Sequence, residues 1–367
     1  MKTALFTGSF DPMTKGHLDL IQRSSEIFGK VIVAVGNNPA KKYTFSKEKR
    51  VELINNNAWN LKNVSVVELQ EGKLAADYAY EHDAVIVKGV RVNADFDYEK
   101  MMHEINHLHN QGVDTIIFPS QSDLNHISSS SAKEVCKLSG NTEDFVTLDV
   151  KYALERELLG QNRIIITGTI GSGKSSVVEE IVKNWQSVKN IDIDVIAHDI
   201  LFKRKEPAYV NLRKKLVGEL AVPGPWTREN LSYSIFSKPE KRTILNSLIR
   251  QPILTRIRAE IQEFHYGLII FNSALIVEAG WLDLANNRVA LLDVESETQH
   301  ARLLHRGYSE EEIAKRLASQ LNTKEKESII RSKIVKDNFG CVQIFNTTSQ
   351  PVKETAKDIL KWVGEIN

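Results

Sequence analysis

The chain has 367 residues, and at roughly 150 residues per domain that suggests two or three domains. Apolar residues make up 42% and charged residues 26%, a globular balance that excludes disorder, collagen-like repeats and coiled coil as whole-chain descriptions. The formal charge of +1 gives no electrostatic reason to expect nucleic acid or a membrane surface as partner.

The first half alternates β-branched apolar runs with amphipathic stretches. Thr3–Thr7, Val31–Val35, Val64–Leu69, Ala84–Val87 and Thr115–Phe118 read as buried strands. Residues 16–28, 46–60, 73–82, 96–111 and 129–138 between them have helical spacing. Alternation at this pitch predicts a parallel sheet with helices on both faces. Lys151–Leu159 reads as a charged helix, and after Gly160-Gln161-Asn162 the pattern restarts with a strand at Arg163–Thr167. The expected domains are therefore 1–160 and 161–367, each a doubly wound α/β sheet. Further strands are expected near 190–193, 268–272, 289–294 and 342–345. Pro207, Pro223-Gly224-Pro225 and Pro239 punctuate the middle of this half, which predicts several short elements there. Val352, Ala356, Ile359, Leu360 and Val363 are spaced for a closing helix. Residues 1–160 hold 18 Lys and Arg against 22 Asp and Glu, and residues 161–367 hold 30 against 25, so the second half leans basic, as an anionic ligand would favour.

Between the first strand and the first helix lies Gly8-Ser9-Phe10-Asp11-Pro12-Met13-Thr14-Lys15-Gly16-His17. A Gly-rich turn feeding a helix N-terminus points free backbone N–H groups and the helix dipole at an anion. His17, in the first helical turn, is placed to reach a phosphate held there; the plainer reading is a capping Thr beside a surface His. After the last strand of this half comes Ile127-Ser128-Ser129-Ser130-Ser131-Ala132-Lys133-Glu134, where Ser131 and Glu134 have capping-box spacing. This helix start is a second phosphate cradle or an ordinary Ser-rich cap.

The two pieces together resemble the nucleotidyltransferase superfamily with the T/HxGH signature, specifically the phosphopantetheine adenylyltransferases. The likeness runs through the whole first half in order: residues 8–17, Asn38-Pro39-Ala40-Lys41-Lys42, Lys88-Gly89-Val90-Arg91 with Asp95–Glu99, and residues 127–134. It implies a Rossmann-like nucleotidyltransferase in which the phosphate of 4′-phosphopantetheine attacks the α-phosphorus of ATP and pyrophosphate leaves. Such a step needs positioning and charge stabilisation more than covalent help. By this resemblance His17 stabilises the transition state, Ser9 and Lys41 hold the attacking phosphate, Lys88 touches the acceptor and Leu74 lines the pantetheine arm. ATP falls to Ser9, Phe10, His17, Gly89, Val90, Arg91, Glu99, Leu124, Asn125, His126, Ile127, Ser128, Ser129 and Ser130. Lys42 is adjacent to Lys41, and spacing does not choose between the two ammonium groups. A homo-oligomer through the first domain is left open.

His103-Glu104-Ile105-Asn106-His107 matches the H-E-x-x-H zinc pattern, with His109 nearby. It falls in the helical link between two strands of a parallel sheet, with no spaced third ligand. A solvated or interface His cluster is the expected reading.

In the second half, Ile164–Thr167 leads into Gly168-Thr169-Ile170-Gly171-Ser172-Gly173-Lys174-Ser175, followed by Ser176. This is a P-loop between a strand and a helix, its required context. Backbone N–H groups from Gly171, Ser172 and Gly173 onward wrap the ATP phosphates, Lys174 reaches the β/γ oxygens and Ser175 ligates Mg²⁺. Ile191-Asp192-Ile193-Asp194-Val195-Ile196-Ala197-His198 places two carboxylates across from the loop, and Leu275-Ile276-Val277-Glu278 reads as the end of another strand. Arg302, Arg306 and Arg316 surround a helical segment ending at Gln320. The set is similar to the dephospho-coenzyme A kinases across about 163–345, with Ala274 where that family usually has Pro. The resemblance implies a P-loop kinase in which Asp194 accepts the proton of the ribose 3′-hydroxyl as the γ-phosphoryl transfers. Asp192 is then structural or a partner behind the metal. Arg306, ahead of Arg302, meets the transferred phosphate, although each Arg is also readable as solvated surface.

The expected partners are thus ATP, 4′-phosphopantetheine and dephospho-CoA, with Mg²⁺ as cofactor. A different acceptor with a nucleoside- or shikimate-type kinase, or a regulatory protein with one dead half, are the rival readings. The presence of His17, Lys41, Lys174, Ser175 and Asp194 weighs against the second. No apolar run approaches the roughly 20 residues that span a bilayer, and Met1–Phe6 show no secretory signal. With Cys136 and Cys341 as the only cysteines, a reducing cytoplasm is the expected location.

Overall fold

Ala4, Leu5 and Phe6 are consecutive apolar residues, and in the computed structural model all three are buried. Their strand, β1 (Thr3–Gly8), is covered on both faces, so alternation of apolar and polar residues is not needed. Leu5 packs with Ile32, Ala34 and Ile86 on one side, while Ala4 and Phe6 pack with Val31, Val33, Val85 and Val87 on the other. Each Val, Leu, Ile or Phe side chain among them contributes about 1.5–3 kcal/mol by leaving water. The structure describes residues 2–366 apart from 39, 110, 111, 236 and 237.

Contacts divide the chain into two units, Met1–Leu159 and Gly160–Asn367. In the first, β1 is followed by α1 (Lys15–Ile27), β2 (Lys30–Val35), α2 (Lys47–Ala58) and β3 (Val64–Glu68). Then come α3 (Ala75–Glu81), β4 (Ala84–Val90), α4 (Asn93–His109), β5 (Thr115–Pro119), α5 (Ser129–Lys137) and α6 (Leu148–Leu159). Among the described residues the strands form a parallel sheet in the order β3-β2-β1-β4-β5. Strand order reverses between β1 and β4, the place where sheets of this kind receive ligands at the carboxyl ends of their strands. The turn holding Ser9 to His17 leaves β1 at that edge, and Gly89 to Arg91 leave β4 beside it.

The second unit opens with β6 (Gln161–Gly168), α7 (Lys174–Asn184), β7 (Val188–Asp192), α8 (Ile193–His198), α9 (Pro207–Leu220), α10 (Arg228–Ile235) and α11 (Pro239–Gln262). It continues with β8 (Gly267–Asn272), β9 (Arg288–Asp293), α12 (Ser296–His305), α13 (Glu310–Ala318), α14 (Thr323–Asp337), β10 (Cys341–Asn346) and α15 (Val352–Glu365). Its parallel sheet runs β10-β9-β6-β8-β7. Ile165 packs with Ile269, Phe271 and Leu291 on one face, and Ile164 and Ile166 pack with Ile270, Ala290 and Leu292 on the other. Both units are therefore doubly wound α/β sheets.

Three local expectations are corrected. The middle of the second unit holds one short helix, α10 of 8 residues, between helices of 14 and 24 residues that are not short, because Pro207 and Pro239 start α9 and α11 instead of breaking them. Leu245, Ile249, Ile253, Ile257 and Ile261 recur every fourth residue and bury one stripe of α11 straight past Pro252. Leu275–Glu278 does not end a strand, since β8 stops at Asn272 and those residues form a turn. The capping box of α5 is Ser128 with Ser131, not Ser131 with Glu134: Ser128 Oγ accepts from Ser131 N–H at 3.0 Å, and Ser131 Oγ accepts from Ser128 N–H at 3.0 Å. No described helix is long and apolar enough to cross a membrane.

Candidate active site

In the first unit the chain enters α1 through Thr14, whose backbone N–H donates to Nδ1 of His17 at 3.0 Å. The Thr14 hydroxyl lies 3.0 Å from the same nitrogen and accepts from His17 N–H at 3.4 Å. A backbone N–H can only donate, so Nδ1 accepts and the proton of the neutral ring is on Nε2. Burial, reinforced by the Arg91 guanidinium, lowers the His17 pKa to about 4. The imidazole is neutral at physiological pH and presents Nε2–H as its single donor. Phe10, 2% exposed, stands edge-on to the His17 ring at 5.2 Å and props it from the core side. With its ring buried, Phe10 offers a ligand only its main chain.

A buried cation and a buried anion shape the turn before His17. Arg50, 1% exposed, donates from Nη1 to Ser9 O at 2.6 Å and Gly36 O at 3.2 Å, and from Nη2 to Asn37 Oδ1 at 2.5 Å. Its guanidinium also stacks over Tyr43 at 4.3 Å. Asp11 accepts from Thr44 N–H at 2.9 Å, Phe45 N–H at 2.9 Å and the Lys133 ammonium at 2.9 Å. One carboxylate thus ties the segment after Lys41 and Lys42 to the turn and to α5. Both of those lysines have exposed side chains.

Other expected residues converge in part. Ser129 Oγ donates to Pro12 O at 2.8 Å, which joins the start of α5 to the turn. Arg91 donates to Ile127 O at 3.1 Å and to Asp95 at 3.1 Å. Lys88 and Glu99 form a 3.7 Å ion pair, and the His126 ring meets Phe145 at 6.0 Å. Ser120 N–H donates to Val90 O, which joins the ends of β4 and β5, and Ile127 N–H donates to Leu124 O, which closes the turn carrying Asn125 and His126. Ser130 is exposed in the first turn of α5. Leu74 stands at the start of α3, 52% exposed, beyond the edge strand β3. The rings of His103 and His107 are 5.9 Å apart, yet among the described residues no three His, Cys, Asp or Glu side chains group as a metal site.

In the second unit Gly171 and Gly173 take φ of +81° and +85°, a backbone that other residues reach only with strain. A side chain at Gly168 would meet Leu292 O at 2.5 Å. Lys174 donates to Gly168 O at 2.9 Å and Thr169 O at 3.1 Å, and its pKa is lowered to about 8 by burial. The Asp194 carboxylate opposes that shift, while the Lys326 and Arg306 charges add to it. Asp194 accepts from Ser273 Oγ at 2.7 Å and from Ala274 N–H at 2.9 Å, so both its oxygens are held by the turn after β8. Asp192 instead caps α8, accepting from Val195 N–H at 2.9 Å; burial raises its pKa, with the Asp194 charge adding to it.

The P-loop is pinned from outside its own segment. Gln299 donates to Ile170 O at 2.6 Å and Thr169 Oγ1 at 2.9 Å, and Gln320 Oε1 accepts from Ile170 N–H at 2.9 Å. Thr347 Oγ1 donates to Ser172 O at 2.9 Å, whereas Ser172 Oγ is buried with no described partner. Arg302 binds Thr347 O at 2.5 Å and Gly171 O at 3.3 Å. A cleft of about 520 Å³ opens beside the loop, lined by Gly173, Ser176, Arg302, His305, Arg306 and Thr347. Arg316 lies over the Tyr308 ring at 4.4 Å. Ser175 is exposed in the first turn of α7.

Sequence reasoning singled out His17, Lys174, Asp194 and the arginines. It assigned no role to Arg50, Asp11, Lys133, Ser273, Gln299, Thr347 or Lys326. Only Asp11 and Lys133 stood inside a motif that could have flagged them.

Two family models match the chain. Residues 163–343 match the family described as dephospho-CoA kinase, and residues 5–135 match the cytidylyltransferase-like family. The phosphopantetheine adenylyltransferase of Oenococcus oeni is 45% identical over 150 residues, which cover 41% of this chain and 94% of that protein. Its counterpart from Syntrophomonas wolfei is 41% identical over 159 residues, covering 43% and 98%. That of Actinobacillus succinogenes is 39% identical over 157 residues, covering 42% and 96%.

Proposed function

The N-terminal part of this chain belongs to the phosphopantetheine adenylyltransferase family and residues 163–343 match the dephospho-CoA kinase family, and from that premise we propose how its residues act. The chain is a fused enzyme of coenzyme A biosynthesis. AMP passes from ATP to 4′-phosphopantetheine, giving dephospho-CoA and pyrophosphate; ATP then phosphorylates the ribose 3′-hydroxyl of dephospho-CoA, giving CoA and ADP. In our reading residues 1–160 carry the first reaction and residues 161–367 the second.

At the first site His17 donates from Nε2–H to oxygens that gain charge as the α-phosphorus is attacked. Ser9 and Lys41 hold the attacking phosphate, and Lys88 and Leu74 receive the acceptor. The loop main chain at Phe10, residues 89–91 and 124–130, and Glu99 receive ATP. Arg50 and Asp11 keep that cradle in shape.

At the second site Lys174 leaves the loop carbonyls for the β/γ-phosphates of ATP, and Arg306 faces the transferred phosphoryl. Asp194, with both oxygens oriented, takes the proton of the 3′-hydroxyl. The cleft beside Arg302 and Arg306 takes the nucleotide. A cavity of about 550 Å³ lined by Arg242, Glu278, Gln320, Leu321 and Glu325 is available to the pantetheine end of the acceptor. Mg²⁺ fits here, because the exposed Ser175 hydroxyl and ATP phosphate oxygens are hard donors and the described residues offer no cage of three carboxylates or imidazoles. When bound it neutralises charge on the phosphates, with Ser175 as its protein ligand.

A reducing cytoplasm, where ATP is abundant, suits a chain with two cysteines. Phe96, Met101, Ile105 and Leu108, exposed along α4, favour a homo-oligomer through the first unit.

The observation that carries this reading is the presence of two separate phosphate-handling centres, one around His17 and one where Lys174 senses Asp194. The full chain incubated with ATP, Mg²⁺ and 4′-phosphopantetheine should yield CoA by mass. Lys174→Ala should accumulate dephospho-CoA with pyrophosphate release unchanged. Loss of pyrophosphate release in that variant would show that Lys174 does not serve the second reaction alone.

A further inference from the structure

The reaction as described leaves one buried charge, Lys326, without a role, and gives its partner Glu278 no more than a place in the wall of the acceptor cavity. The Lys326 side chain is 0% exposed and that of Glu278 is 18% exposed. The Lys326 ammonium donates to Glu278 Oε1 at 2.6 Å, Glu278 Oε2 at 2.7 Å and Ala274 O at 2.8 Å. Its three N–H donors all face acceptors of one turn, residues 274–278.

That turn also orients the base. Ala274, whose carbonyl Lys326 grips, gives its N–H to Asp194, and the preceding Ser273 gives its hydroxyl to the other Asp194 oxygen. On its far side, Glu278 Oε1 accepts from Leu321 N–H at 3.2 Å, and the neighbouring Gln320 accepts from Ile170 N–H of the P-loop. A continuous set of contacts thus runs from the P-loop through residues 320–321, Glu278 and Lys326 to Asp194.

Stability alone does not account for such a pair. Desolvating two charges offsets most of their attraction, and apolar residues of the same volume often stabilise as well or better. Burial lowers the Lys326 pKa, and the Glu278 and Asp194 charges oppose it, as a retained ammonium requires. What an apolar pair cannot do is hold Ala274 O and Leu321 N–H at fixed positions.

We propose that Lys326 is a positioning residue for the phosphoryl transfer: with Glu278 it clamps the 273–278 turn, aims the Asp194 carboxylate and couples that aim to the segment touching the P-loop. The inference rests on the reading of Asp194 as base. Lys326 itself touches neither substrate nor reacting atoms.

The test uses the full chain with supplied dephospho-CoA, ATP and Mg²⁺, and the first reaction on the same sample as internal control. Lys326→Met, which keeps the unbranched chain as far as Cε and removes the ammonium, should lower kcat for phosphorylation about 10²-fold, the order expected when a reacting group is displaced by an ångström. The KM for ATP and the number of ATP sites per chain, counted by calorimetry, should stay at wild-type values. Lys326→Arg, which keeps the charge, should recover part of kcat. Lys326→Met combined with Glu278→Gln leaves no unpaired buried charge, so it guards against misfolding of the single variant and should remain slow. Full kcat in either Met variant overturns the proposal. So does a loss of kcat in the double variant that is matched by an equal loss of ATP sites, the mark of a structural role. A wild-type chain inert toward dephospho-CoA would overturn the function of the second unit, and this inference with it.

Discussion

Around His17 the first unit keeps a neutral ring, its Nδ1 filled by the Thr14 N–H and its pKa lowered to about 4. Around Lys174 the second unit encloses an ammonium, and burial lowers its pKa by a similar amount to about 8, with the Asp194 and Glu278 carboxylates opposing the shift and the Lys326 and Arg306 charges adding to it. The same desolvation therefore serves two ends. In the first reaction the α-phosphoryl carries its negative charge before and after transfer, and one aimed hydrogen-bond donor follows the change in geometry. In the second the γ-phosphoryl passes through a loose transition state with charge spread over its oxygens, which calls for full positive charges and a base for the attacking hydroxyl. Variants that strike one centre should leave the other running.

The largest effect is expected from Asp194→Asn. The amide fits the same place: its oxygen accepts the Ala274 N–H and its nitrogen faces Ser273 Oγ. Geometry survives while the proton acceptor is lost, so phosphorylation of dephospho-CoA should fall on the order of 10²–10⁴-fold. Pyrophosphate release from the first reaction should not change. A loss below tenfold would mean that the hydroxyl proton leaves by another route.

Next comes His17→Ala. Removing one preorganised donor costs on the order of 10²–10³ in turnover. ATP affinity of the first site should change less, because Arg50 and Asp11 hold the backbone cradle independently of the imidazole. Supplied dephospho-CoA should be phosphorylated at the wild-type rate. An unchanged first-step rate would remove His17 from the mechanism.

These variants touch groups that local pattern already marked, and the contrast with the unmarked ones is physical. Ile164–Ile166 announce a strand buried on both faces, and the glycines before Lys174 announce a loop that cradles phosphate. Both signals lie within ten residues of chain. Arg50 and Ser9 are 41 residues apart, Asp11 and Lys133 are 122 apart, and Glu278 and Lys326 are 48 apart. The fold alone decides that those partners meet, and Arg50, Lys133, Glu278 and Lys326 each look like a surface charge in their own segments. Pro207 and Pro239 misled in the other direction. Proline punctuates a chain in either of two ways, and only the buried stripe continuing from Leu245 to Ile261 shows that Pro239 opens a helix. The site residues taken from the adenylyltransferase resemblance include Leu74, which nothing in its own helix spacing would have picked out.

The smallest effects are expected from pH, and they separate the two centres without any mutation. A lysine with its folded-state pKa near 8 loses charge as pH rises through that value, and bound phosphate favours the ammonium. ATP binding at the second site should therefore take up a proton above about pH 8, and its affinity should weaken by up to about tenfold per pH unit there. Calorimetry in two buffers of different ionisation enthalpy reads that uptake directly. His17 titrates near pH 4 and is already neutral through the whole range from 5.5 to 8. The first reaction should then show no activity limb near pH 6.5, where an ordinary histidine would give one. If His17 titrated as an ordinary histidine and acted as an imidazolium, the first-step rate would drop above pH 6.5; if Lys174 were solvated like an ordinary lysine, proton uptake would begin only near pH 10. The two titrations should thus fall at least three pH units apart, because burial lowers both groups by a similar amount from ordinary values of 6.5 and 10.5, and a departure of either one from its expected pH measures how its own unit solvates and surrounds it.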